Sequence, residues 1–118
     1  MTNLAKPAWD RAKKMMAIAR RANELKALGY HVFLLIDANM LVAATQNDWT
    51  STWPDHWVVL EGNIGAADLD NRDSAVTGKI WTWGRQRSLA EDTTNPITLG
   101  RFTNKFYGFV AVKRPSAS

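Results

Sequence analysis

His56 has the sequence setting of a residue that could move protons during catalysis. It follows Asp55 and opens an apolar segment, 56–60, whose β-branched and aromatic residues predict a strand. A strand would fix the backbone of His56 and leave its ring at the mouth of a cleft. An imidazole there can both take and give a proton near neutral pH, which suits a general base. The alternative is a surface histidine without a role, since most histidines are not catalytic.

Three polar residues from two other segments could hold the His56 ring in place. Residues 31–36 also predict a strand, and antiparallel pairing with the His56 strand would bring Asp37 and Asn39 close to the histidine. Thr82, in a third predicted strand, could accept a hydrogen bond weakly. Two interpretations of Asp37 stay open, because its carboxylate could instead cap the loop that follows the strand.

A nucleophile to work with His56 is missing from the sequence. The chain has no cysteine, and therefore no thiol, no disulfide and no thiolate metal site. Its two histidines are too few for a histidine-rich metal centre, so we expect neither a metal nor another cofactor. No motif places a serine at a helix start facing His56, and none is predicted as the nucleophile; the serines considered are Ser51, Ser74 and Ser88.

The hydrophobic pattern predicts an α+β fold, with a mainly antiparallel four-stranded sheet and a long N-terminal helix packed on one of its faces. The helix is expected from about Pro7 to Leu28, with Gly29 as a left-handed cap. The strands are expected at 31–36, 56–60, 79–83 and 107–113.

The segments between these elements are expected to be mostly irregular. Residues 62–78 and 85–96 are polar and predict loops, and the spacing of apolar residues from Leu99 predicts a short helix. We expect residues 1–114 to form a single domain and residues 115–118 to be a loose tail.

Composition and charge narrow the possible partners. The chain has 118 residues, of which 46% are hydrophobic and 22% charged, and these values are typical of a globular chain. No apolar run is long enough to span a membrane, and no signal peptide is apparent. The net charge of +4 is concentrated in the predicted helix, but no nucleic-acid-binding motif accompanies it, so nucleic acid is not the expected partner.

Six tryptophans are many for a chain of this length. Alternation along a strand would put Trp81 and Trp83 on one face, opposite Thr82. These indoles could form a wall that stacks on a sugar or a peptide. We favour core packing instead, because tryptophan buries a large area.

Several segments resemble the papain-like cysteine peptidases, in the same order along the chain. Residues 55–62, Asp-His-Trp-Val-Val-Leu-Glu-Gly, resemble the family segment that holds the catalytic histidine. Residues 80–84, Ile-Trp-Thr-Trp-Gly, resemble its Asn-Ser-Trp-Gly strand, and residues 107–114 resemble its closing Gly-Tyr strand. Residues 31–38 are similar to the strand that ends in Ile-Asp-Ala. The likeness covers roughly residues 15–114, and the short loops favour the bacterial effector and toxin branch.

The resemblance implies acyl transfer, in which a thiolate attacks a carbonyl and His56 acts as the general base. The family's orienting Asn aligns with Trp81, which cannot accept a hydrogen bond from imidazole. Thr82, Asp37 and Asn39 therefore stay the candidates for that role.

What the resemblance implies is the histidine-bearing C-terminal lobe of a protease or amidase, catalytically incomplete in this chain. We expect a cysteine-bearing lobe or partner protein, or self-association. The implied location is the bacterial cytoplasm, or the outside of the cell after export by a dedicated secretion system. The alternative is a non-enzymatic binding domain of the same fold, whose tryptophan-lined face holds a peptide, a glycan or a protein.

Overall fold

The part of the chain that the structure describes has an α+β fold, with five antiparallel strands and two helices. A computed structural model describes residues 6–41, 56–90 and 97–114, apart from the side chains of residues 6–9 and of Asn39. The elements are α1 (Lys6–Ala27), β1 (His31–Ile36), a 3₁₀ turn (Ala38–Leu41), β2 (His56–Ala66), β3 (Val76–Thr82), β4 (Arg85–Ser88), α2 (Leu99–Lys105) and β5 (Phe106–Val112). The strand order in the sheet is β4-β3-β2-β1-β5.

The sheet differs from the predicted one in strand number and strand length. The sheet is antiparallel as predicted but has one strand more than the four expected, because Arg85–Ser88 forms an edge strand paired with β3. The predicted loop at 62–78 is wrong in part. There β2 continues to Ala66 and β3 already begins at Val76, with register shifts near Gly62 and Gly65. Such bulges let a glycine-rich segment stay in the sheet while it bends.

Helix α1 packs on one side of the sheet through small and apolar residues three or four positions apart. Its buried positions include Met15, Ala19 and Ala22. Gly29 follows with φ +94°, and the amide of Tyr30 donates to the carbonyl of Leu25 at 3.1 Å, which confirms the predicted left-handed cap. Among the described residues, no helix is long and apolar enough to cross a membrane.

The side of the sheet that faces the helices carries the hydrophobic core. In β1, Val32, Leu34 and Ile36 are buried at alternate positions, and β2 adds Val58 and Leu60 on the same side. The pairing of Leu34 with Val58 and of Ile36 with His56 sets the register of the central strands. His56 therefore lies on the helix side, at the end of the row of core residues.

The other side of the sheet is apolar, yet no described helix packs on it. Alternation places six apolar residues there, at positions that pair across four strands. Trp57, Trp81 and Val110 are about half exposed, at 52%, 46% and 48%. We call this side the open face; it consists of Phe33, Leu35, Trp57, Val59, Trp81 and Val110.

Candidate functional site

His56 contacts Thr82 at the end of the sheet where β2 begins and β3 ends. The Nε2 atom of His56 lies 2.6 Å from Oγ1 of Thr82, a short hydrogen-bond distance. Thr82 is only 4% exposed, and it follows Ile80 on the inward-facing positions of β3. Thr82, one of the three candidate partners of the ring, therefore lies within hydrogen-bond distance of it. The contact forms because the even-numbered positions of both strands face the helices.

The second ring nitrogen of His56 is available for another interaction. The side chain is half-buried, and among the described residues Nδ1 has no hydrogen-bond partner. An imidazole held through one nitrogen with the other open is the arrangement that a general base needs.

Trp83 covers the histidine from the turn between β3 and β4. Its ring centroid lies 5.1 Å from that of His56, with the planes tilted by 31°. The prediction that Trp83 shares a face with Trp81, opposite Thr82, is wrong. The chain leaves the strand after Thr82, and Trp83 and Gly84 form a two-residue turn with φ +49° and +79°.

The prediction that the tryptophans pack in the core is also wrong for the three whose side chains are described on the strands and the turn. Trp57, Trp81 and Trp83 are 52%, 46% and 57% exposed. Trp49 and Trp53 lie outside the described residues. The indoles are therefore available for contact with something other than the core of this domain.

The guanidinium of Arg87 lies against the ring of Trp83. The guanidinium carbon of Arg87 is 5.5 Å from the centroid of the Trp83 ring, within the range of a cation–π contact. Its Nη2 also donates to the carbonyl oxygen of Leu41 at 3.5 Å. Arg87 thereby ties β4 to the 3₁₀ turn that follows β1, and it supports Trp83 next to the histidine.

Asp37 does not orient His56, contrary to one of the two interpretations of the sequence. Its carboxylate forms an ion pair with Lys105, with Oδ2 to Nζ at 3.4 Å, and the two side chains are 1% and 0% exposed. The amide of Asp37 also donates to the carbonyl of Lys105 at 2.9 Å. Pairing of Ile36 with His56 brings the backbones together, but the carboxylate is held by α2. The side chain of Asn39 and all of Asp55 lie outside the described residues.

Two of the serines have local structural roles. The Ser74 hydroxyl accepts from the amide of Asp68 at 3.1 Å, within the loop before β3. The Ser88 hydroxyl accepts from the amide of Ala90 at 3.3 Å, at the end of β4. Ser51 lies outside the described residues.

Sequence reasoning missed Trp83, Arg87 and Lys105 as neighbours of the candidate residues. A signal existed for Lys105, which lies three residues after Phe102 and so falls on the apolar stripe that Leu99 and Phe102 form. A charged residue on such a stripe needs a buried partner of opposite sign. A signal also existed for Trp83, because glycine after it favours a tight turn.

Neither a similar known protein nor a cluster of metal ligands among the described residues points to a function. No group of three or more histidine, aspartate and glutamate side chains within the described ranges could hold a metal ion. No family model matches the chain, and no significant similarity links it to a curated protein or to a solved structure. Function must therefore be argued from the geometry around His56.

Proposed function

We propose that this chain supplies the histidine-bearing part of a papain-like cysteine protease or amidase. In this proposal, His56 is the general base, Thr82 orients it, and the nucleophile is a thiol that these 118 residues do not contain. The observation that carries the proposal is the 2.6 Å contact between Nε2 of His56 and Oγ1 of Thr82. It holds one ring nitrogen and leaves the other to meet a nucleophile.

The proposed proton transfer follows from the contact of Thr82 with Nε2 of His56, which leaves Nδ1 as the reacting nitrogen. The Thr82 hydroxyl oxygen accepts a hydrogen bond from Nε2–H, so Nδ1 carries the lone pair that takes a proton from the thiol. The thiolate attacks the substrate carbonyl, and the imidazolium then gives its proton to the leaving group. A hydroxyl stabilises the imidazolium less than a carboxylate would, because it carries no charge. Trp83 covers one side of the ring and shields it from water.

An exogenous thiol tests the role of His56 directly. With 2-mercaptoethanol as the thiol and p-nitrophenyl acetate as the acyl donor, we expect the folded chain to accelerate thioester formation. His56→Ala should lower the thiol-dependent rate by about tenfold. This is less than the 10²–10⁴ typical of general-base catalysis, because a free thiol is not positioned beside the base. Release of p-nitrophenolate over a series of thiol concentrations measures the rate.

The second histidine provides a matched control. His31 is an exposed residue at the start of β1, so His31→Ala removes an imidazole without touching the site. Its rate should equal that of the wild type, and Thr82→Val should give an intermediate rate. If His56→Ala keeps the wild-type rate, or His31→Ala loses as much, the general-base role is wrong.

The exposed tryptophans favour a second candidate, a non-enzymatic binding domain of the same fold. Trp57 and Trp81 lie on the open face, on the opposite side of the sheet from His56. A surface used only for binding would be unaffected by His56→Ala. The thiol assay therefore separates the two functions.

A further inference from the structure

Trp83 has a backbone conformation that a bulky residue rarely adopts. Its φ is +49°, and Gly84 follows with φ +79°, so both residues of the turn between β3 and β4 have positive φ. Turns of this kind favour Asn-Gly, because the Cβ of most other residues crowds the backbone there. Strained residues persist only where other contacts hold them, and they concentrate at functional sites. The contacts of the Trp83 ring are therefore of interest.

The Trp83 ring contacts both the imidazole of His56 and the guanidinium of Arg87. The two aromatic centroids are 5.1 Å apart, and the guanidinium carbon lies 5.5 Å from the indole centroid. Arg87 is half-buried, and its Nη2 donates to the carbonyl oxygen of Leu41 at 3.5 Å. Arg87 therefore connects the indole to the 3₁₀ turn after β1, by contacts that do not involve His56.

The strand register places Arg87 on the same side of the sheet as the candidate site. Arg87 pairs with Ile80, which is 1% exposed and faces the helices. Thr82 lies two residues further along β3 and so on the same side, where it contacts His56. The contacts from Arg87 to Trp83 and from Trp83 to His56 thus form a continuous series that ends at the proposed general base.

We propose that Arg87 is a positioning residue, which keeps the strained Trp83 in place so that its indole stays against the His56 ring. The cation–π contact offsets the backbone strain of the turn. The indole in turn restricts rotation of the imidazole, which keeps Nε2 at Thr82 and leaves Nδ1 as the reacting nitrogen. This role rests on the proposed function of His56 and adds the residue that maintains its geometry.

Thiol-dependent release of p-nitrophenolate measures the effect of Arg87 on the reaction. Arg87→Gln removes the cation and should lower the rate by about threefold, which corresponds to the loss of a cation–π contact at an exposed site. The matched control is Arg85→Gln, which removes the same charge from an exposed position of the same strand and should keep the wild-type rate. Equal losses in the two variants would show a general effect of charge and overturn the proposal.

A double-mutant cycle shows whether Arg87 acts through Trp83. Trp83→Asn removes the indole and keeps the turn, because asparagine adopts positive φ more readily than tryptophan does. In the Trp83→Asn background, Arg87→Gln should lower the rate no further, and circular dichroism checks that each variant is folded. If the two losses multiply instead, Arg87 acts independently of Trp83 and the proposal is wrong.

The proton chemical shifts of the His56 ring test its position without any reaction. The indole shifts these protons through its ring current, so Arg87→Gln should move them in the same direction as Trp83→Asn does. His31, at the other end of β1 from the residue that pairs with His56, is the reference and should not move. Unchanged His56 shifts in Arg87→Gln would overturn the positioning role. If the shifts move as expected but His56→Ala keeps the wild-type rate, the general-base function is wrong and the positioning of the ring by Arg87 stands.

Discussion

Asp37→Ala should lower the free energy of unfolding by about 3–5 kcal/mol, because it removes the carboxylate that pairs with the buried Lys105 side chain. The two side chains are 1% and 0% exposed, and their carboxylate oxygen and ammonium nitrogen lie 3.4 Å apart. Lys105→Ala should cost a similar amount, because it removes the buried cation that pairs with the Asp37 carboxylate. Urea unfolding followed by circular dichroism measures both losses.

The double variant Asp37→Leu/Lys105→Met is the control for this prediction. Replacing both charges with apolar side chains of similar volume removes the desolvation cost along with the attraction. We expect its stability to lie within about 1 kcal/mol of the wild type. If each single variant costs less than 1 kcal/mol, the pair is solvated and the assignment of Asp37 to a buried structural role is wrong.

Phe106→Ala should also cost about 3–5 kcal/mol, because it removes a fully buried ring and leaves a cavity. Phe106 is 0% exposed, stacks on Phe102 with centroids 5.0 Å apart, and pairs with Ile36 across the sheet. Phe106→Leu keeps most of the volume and should cost less than about 1.5 kcal/mol. The unfolding midpoint in urea checks both values.

A variant at the other end of the same strand controls for effects on β5 itself. Val112 is 48% exposed, so Val112→Ala should change stability by less than about 0.5 kcal/mol. A loss for Val112→Ala as large as that for Phe106→Ala would show that strand pairing, rather than core packing, dominates this region.

The parts of the fold that could be predicted are those in which local pattern and tertiary packing agree. The strand at His31–Ile36 was predicted at its observed bounds, and α1 begins and ends within one residue of the expectation. The strand is a continuous apolar run, the helix has apolar residues at regular spacing, and Gly29 marks the helix end. Strand β4 could not be predicted, since Arg-Gln-Arg-Ser has no apolar alternation and extends only because it pairs with β3.

In the candidate site, only the contacts that follow from strand pairing and alternation could be predicted. The contact of Thr82 with His56 follows from antiparallel pairing and from the side of the sheet on which even-numbered residues lie. Asp37 was placed near His56 by the same pairing, but that argument locates backbones and says nothing about a competing partner such as Lys105, 68 positions away. The position of Trp83 beside His56 could not be predicted, because a residue with positive φ leaves the strand and no longer alternates with its neighbours.

The tautomer of neutral His56 tests most directly whether this residue is poised as a general base. Long-range ¹H–¹⁵N correlation spectra of the folded chain distinguish a proton on Nε2 from a proton on Nδ1. We predict that Nε2 carries the proton and donates it to Thr82, so that Nδ1 is the free acceptor, and that Thr82→Val weakens this preference. A proton on Nδ1, with the Thr82 hydroxyl donating to Nε2, would contradict the proposal, because His56 could then take no proton from an incoming thiol.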